Sequence, residues 1–208
     1  MKMEVTQNTA ILDIINTSLA QAITYEDYKG LVKELVKNQS TTGPDKSEAM
    51  VNYTMLNERR MKRWDKTVKV SDAIRERLAT FSGNVTWLVI TESWCGDAAH
   101  VLPVINKLAE LHNGIDLKLV MRDENECLMN EFLTNGGKAI PKLIMINNQT
   151  KEVVGTYGPR PSQVTKLVNE FKSLNGKLTS DFKEDLQRWY NMDKGQNTLE
   201  DLLKLLKV

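Results

Sequence analysis

Apolar positions follow two different periods along this chain, and the change from one to the other outlines its elements. Residues 9–22 read as a short helix, and Thr24 opens a second, with Asp27 three residues on as in a capping box. Tyr28, Leu31, Val32, Leu35 and Val36 recur at the helical period of about 3.6 residues. Asn38–Asp45 is a loop by composition. A third helix is expected from Ser47 to Trp64, with Met50, Tyr53, Met61 and Trp64 near one stripe and the polar Asn57 interrupting it. Ser71 caps a helix carrying Ile74, Leu78 and Phe81, closed by Gly83.

The pattern then becomes strand-like. Val85–Thr91 is a continuous β-branched and apolar run, the signature of a buried strand. A helix over Cys95–His112 follows, stopped by Asn113-Gly114, and Ile115–Met121 alternates as a second strand. After a turn at Arg122–Asn125 comes a short helix to Leu133, then a second turn at Asn135–Lys138. Leu143–Ile146 and Glu152–Tyr157 flank the hairpin turn Asn147–Lys151. Gly158-Pro159-Arg160-Pro161 leads into a helix with proline at its first position and Val164, Leu167, Val168 and Phe171 on one face. Two more helices are expected, around Asp181–Tyr190 and over Thr198–Leu206, the latter with Leu199, Leu202, Leu203 and Leu206 on one face. Strands joined by a helix favour parallel pairing, and the late hairpin is expected to add antiparallel edge strands. The fold class is α/β.

Composition narrows the functional classes. The chain has 208 residues, long enough to bury a core without disulfides or metals. With 28 basic and 27 acidic residues, nothing in the total charge points to nucleic acid or an anionic membrane. Met1–Asn8 lacks a leader pattern, and no apolar run approaches the ~20 residues that span a bilayer, so the expectation is cytoplasmic. The basic run between Glu58 and Lys69 (Arg59, Arg60, Lys62, Arg63, Lys66, Lys69) reads as a solvated helix face.

The candidate chemistry lies in Trp94-Cys95-Gly96-Asp97, between the first strand and the helix after it. A helix start favours an anion, and the thiolate is the reactive form of cysteine, so Cys95 is a candidate nucleophile with a lowered pKa. Asp97 opposes that field and raises the thiol pKa, unless it caps backbone N–H groups or holds the thiol's proton. Cys127, the other cysteine, reads as a buried or half-buried apolar residue, with a remote resolving thiol as the alternative. His100 lies five residues from Cys95 and so on another helix face, a surface or packing residue. His112 suits a helix C-terminus, and neither histidine makes metal-ligand spacing with the cysteines. No metal or cofactor is expected.

The Trp94-Cys95-Gly96 triplet resembles the thioredoxin active site, whose signature is W-C-G-P-C. Pro103 inside the helix, Lys118–Asn125 with its Asp-x-Asn turn, Ala139-Ile140-Pro141 and Gly158 strengthen the resemblance. It implies a thioredoxin fold over 71–174, with a helical extension at 1–70 packed on the core and C-terminal helices at 175–208. It also implies a cis bond before Pro141, and a site in which Trp94, Gly96, Ile140 and Pro141 bind substrate beside Cys95. The chain is similar to a bacterial subgroup with an E-x-W-C-G-D-A motif. Three partners of the thioredoxin cycle differ here: the resolving cysteine is Ala98, the buried proton acceptor is Val89, and the turn proline is Asp97. The resemblance therefore implies thiol–disulfide exchange or peroxide reaction at Cys95 alone, with an external low-molecular-weight thiol completing the cycle. The partners would be that thiol or a disulfide-bearing protein. Glu92, Arg122 and Arg160 are candidates for tuning the site's charge. The alternative is a non-catalytic module that binds an extended peptide beside Trp94 and Pro141. Oligomeric state is not indicated.

Overall fold

The structure is a computed structural model that describes residues 2–208, with side chains described from residue 10. Met1, the first residue of the segment read for a leader, lies outside them. The chain forms helices α1 (Lys2–Leu19), α2 (Tyr25–Lys37), α3 (Glu48–Thr67) and α4 (Asp72–Ala79), then strand β1 (Val85–Thr91). Helix α5 (Gly96–Ala109), β2 (Ile115–Met121), α6 (Glu126–Glu131), β3 (Lys142–Asn147) and β4 (Val153–Tyr157) follow. The chain closes with α7 (Ser162–Asn175), α8 (Ser180–Asp193) and α9 (Gln196–Leu206).

The strands make one mixed sheet in the order β2-β1-β3-β4. β1 and β2 are parallel, with Val85 opposite Ile115 and Thr91 opposite Met121. β1 and β3 are antiparallel, as are β3 and β4. Every residue of β1 is buried, as its unbroken apolar pattern requires of a strand covered on both faces. The hairpin expectation needs correcting: β3 sits inside the sheet beside β1, and of the two hairpin strands only β4 is an edge. Lys142–Ile146 is buried, so it carries the apolar density of an internal strand. Ile23 exchanges backbone hydrogen bonds with Leu119 at 2.8 and 2.9 Å, covering part of the β2 edge.

Local chemistry sets the helix bounds. Thr24 and Asp27 close the expected capping box, and the Ser71 side chain accepts from Ile74 N–H. The first helix ends at Leu19 and begins well before residue 9. Cys95 is the N-cap of α5 rather than its first residue, and α5 ends at Ala109, short of His112. Pro161 likewise is the N-cap of α7, not its first helical residue. All four leucines of the α9 stripe are buried, and α9 packs on α4, α5, α7 and β4.

The stripe on α3 is corrected. Tyr53 is 46% exposed, whereas the polar Thr54 and Asn57 are buried with Met61 and Trp64. These polar side chains are buried because each has a partner. Asn57 donates to the Ser93 carbonyl at 2.9 Å, and Thr54 and Ser93 hydroxyls lie 2.9 Å apart. Buried polar groups held in this way escape the cost of leaving water unpaired.

Candidate functional site

β1 runs straight into the site. At its end Glu92, Ser93 and Cys95 are buried and Trp94 half-buried. Ser93 ties this corner to the preceding loop. Its Oγ accepts from Thr42 N–H at 3.0 Å and lies 2.9–3.1 Å from the Thr41, Thr42 and Thr54 hydroxyls. Replacing Ser93 with Ala is expected to cost about 2 kcal/mol, because several buried groups lose a partner together. Urea unfolding measures this, and a loss below about 0.5 kcal/mol would show that the network does not anchor the corner.

The Cys95 thiol is 8% exposed and donates to the Ile140 carbonyl at 3.3 Å. The Ile140–Pro141 bond is cis, and the positive φ of +110° at Gly158 lets its backbone pass against the Pro141 carbonyl, where a Cβ would collide. The thiol thus contacts the Ile140 carbonyl of the loop that the thioredoxin resemblance implies beside it. Its pKa departs from expectation. Burial pushes the thiol up to about 12, and the Asp97 charge adds to this. The backbone N–H groups of Ala98 and Asp97 and the Arg160 guanidinium act the other way without prevailing. The helix field alone predicts a lowered value, and desolvation overturns it.

Asp97 neither caps α5 nor stands alone. Arg160 Nη2 lies 2.7 Å from its Oδ2, and the Tyr190 hydroxyl donates to its Oδ1 at 3.1 Å. Burial raises the Asp97 carboxyl above the usual range, while Arg160 and Tyr190 favour its ionised form. The Tyr190 ring stacks on His100, with centroids 4.3 Å apart and planes at 6°. His100 is buried. Its Nδ1 accepts from Trp64 Nε1–H at 2.8 Å, which leaves Nε2–H to donate to Gln187 at 2.8 Å. Burial holds its pKa down near 4, so it is a neutral packing residue rather than a surface one.

The other sequence candidates divide. Arg160 joins the thiol site through Asp97, whereas Glu92 and Arg122 act beside it. Glu92 is fully buried, its Oε1 accepts from Asp123 N–H at 2.9 Å, and burial raises its carboxyl. Arg122 pairs with Asp123 at 2.8 Å and lies 4.8 Å over the Trp94 ring, a cation–π contact. Cys127 is exposed on α6, not buried or half-buried as expected, and does not line the Cys95 cleft. His112 lies beyond the helix end, where its Nδ1 accepts from Gly114 N–H at 3.0 Å. No cluster of three or more His, Cys, Asp or Glu among the described residues could hold a metal ion.

The cleft over Cys95 has a volume of 610 Å³. Trp94, Cys95, Gly96, Asp97 and Arg160 form part of its lining; α3 supplies Met50, Tyr53 and Arg60, and the region of α8 supplies the rest, including Lys183 and Gln187. The helical additions at both ends of the chain therefore wall the thiol. Sequence reading missed Arg60, Ser93 and Tyr190. Only Arg60 left a trace, inside the basic run of α3, where it turns into the cleft instead of joining a solvated face.

No curated protein matches this chain. Two solved structures share its fold. A protein of unknown function from Pseudomonas aeruginosa aligns with a TM-score of 0.58 at 17% identity, over 73% of this chain and 84% of its own. An HIV epitope-scaffold aligns with a TM-score of 0.56 at 17% identity, over 84% of this chain and 96% of its own. The order of helices and mixed-sheet strands around β1 and α5 is a thioredoxin fold. A thioredoxin family model matches residues 43–172, from the loop before α3 to the last turn of α7, and the chain belongs to the thioredoxin family.

Proposed function

We propose that this protein is a single-thiol redox protein of the cytoplasm. Cys95 attacks a disulfide held in the cleft, and an external low-molecular-weight thiol completes the cycle. One observation carries the reading: the Cys95 sulfur lies at the start of α5, against the Ile140 carbonyl, on the wall of a cleft that no second thiol lines. In the first step the Cys95 sulfur bonds to one substrate sulfur and the substrate S–S bond breaks. The leaving thiolate takes up the proton that Cys95 loses. In the second step an external thiol attacks the substrate sulfur of the mixed disulfide, and Cys95 leaves and regains its proton. A second external thiol then reduces the resulting disulfide between substrate and external thiol, so that the two external thiols end as a disulfide of their own. Two electrons pass from external thiols to the substrate. On this reading the chain sits with bacterial relatives that carry the W-C-G-D-A motif, and segments 1–70 and 175–208 serve the 71–174 core as walls of its site.

The test is mixed-disulfide formation with a small disulfide, read by mass spectrometry. In a Cys127→Ser background, which removes the exposed second thiol, adding Cys95→Ser should reduce exchange to background. Equal exchange by Cys127→Ser with and without Cys95→Ser would sink the reading. A second reading, a non-catalytic module binding an extended peptide beside Trp94 and Pro141, is favoured by the thiol pKa of about 12. Its result is partner capture that Cys95→Ser leaves unchanged, without any mixed disulfide.

A further inference from the structure

We propose that the cleft takes a small thiol or disulfide bearing a carboxylate, which Arg60 anchors by an ion pair beside Cys95. The inference rests on the redox reading and names the substrate class for it.

Arg60 is placed for this role. A Cβ built on Gly96, the residue after Cys95, would lie 3.6 Å from Arg60 Nη1. The guanidinium therefore stands over the start of α5, next to the thiol. It is half-buried, and it forms no ion pair among the described residues. Its one side-chain hydrogen bond among the described residues runs from Nη1 to the neutral Asn57 Oδ1 at 3.0 Å. Asn57 is itself fixed by its 2.9 Å bond to the Ser93 carbonyl, so the guanidinium is held in place before any ligand arrives. Asp97, the carboxylate whose field reaches Arg60, is already engaged by Arg160 and Tyr190. A half-buried cation without a counter-ion gains more from an incoming carboxylate than a solvated one does. Arginine's planar fork suits that group, with two parallel N–H···O bonds.

The rest of the cleft agrees. Lys183 of α8 lines the same cleft and also forms no ion pair among the described residues, while Glu184 lies 3.8 Å from Arg188. Positive charge is thus in excess where a ligand would enter. Met50, Tyr53, Leu178 and Leu186 add apolar wall. The volume of 610 Å³ falls inside the range of roughly 300–1,000 Å³ usual for small-molecule sites. The same cations would steer an anionic disulfide toward Cys95 and stabilise the thiolate that leaves it.

The experiment compares two chromophoric disulfides in a Cys127→Ser background, so that Cys95 is the only thiol. One is the dianionic dithiobis(nitrobenzoate), the other the neutral dithiodipyridine. Arg60→Gln should slow the anionic reagent about tenfold at low salt and the neutral one less than twofold, with Arg60→Lys between. An equal change for both reagents, or none for either, overturns the anchor. Calorimetry on Cys95→Ser with the unreactive dicarboxylate S-methylglutathione separates the two readings. If Cys95 reacts with neither disulfide, the redox reading falls. Binding of that dicarboxylate, weakened by Arg60→Gln, then still supports the anion site, and absence of binding overturns it as well.

Discussion

Replacing Arg160 with Met is expected to lower the unfolding free energy by about 3 kcal/mol, the cost of leaving a buried carboxylate without its cation. Both partners are mostly withdrawn from water, with side chains 23% and 18% exposed, and their 2.7 Å contact is a charge-assisted hydrogen bond. Tyr190 would still donate to Asp97, but one neutral hydroxyl does not replace the lost charge. The double variant Arg160→Met with Asp97→Asn should recover most of the loss, because neither charge is then stranded. Urea unfolding of wild type, both single variants and the double variant reads the coupling directly. A loss below about 1 kcal/mol in Arg160→Met, or no recovery in the double variant, would mean that the pair is effectively solvated. Asp97→Asn alone carries a second readout. Asp97 is the largest cause of the raised thiol pKa after burial, so its removal should bring Cys95 below about 12 and speed its alkylation.

The contrast between Asp97 and Arg60 shows which parts of the site a sequence exposes. Trp94, Cys95 and Gly96 are contiguous and follow a strand whose pattern is unmistakable, so the location of the thiol could be read from local order alone. Pro141 could be placed by its neighbours Ala139 and Ile140. Tyr190, by contrast, lies 93 residues from the Asp97 it touches, on a helix whose pattern tells only that one face is buried. The buried Asn57 and Thr54 reversed the reading of α3 because a sequence shows polarity and not partnership. Their donors and acceptors are met by Ser93 and Thr41, across a turn of the fold that no period encodes. The thiol pKa failed for a related reason. The helix-start field is a local property, legible at Cys95, whereas desolvation depends on Tyr28, Ile140 and the other side chains that long-range packing brings around it.

That last disagreement can be measured through stability. Unfolded, the Cys95 thiol has its ordinary pKa of 9.0; folded, burial raises it to about 12. Between those values the native state holds a proton that the unfolded state has released. Stability from this group is therefore complete below pH 9 and declines as pH rises toward 12. Each unit is worth about 1.4 kcal/mol, so the full window amounts to about 4 kcal/mol. Tyr25, Tyr28, Tyr157 and Tyr190 are also raised by burial and steepen the decline, but only above their ordinary value of 10.0. The interval from pH 8 to 10 thus isolates the cysteine. Unfolding free energies there, compared between Cys127→Ser and Cys127→Ser with Cys95→Ala, should diverge by about 1 kcal/mol, the thiol-bearing protein losing stability with pH. A thiol activated by its helix would give the reverse. With a folded pKa below 9.0, the native state would release its proton first, and stability would rise with pH up to about 9. The sign of one slope therefore decides whether Cys95 meets its substrate as a thiolate or must lose its proton during the reaction.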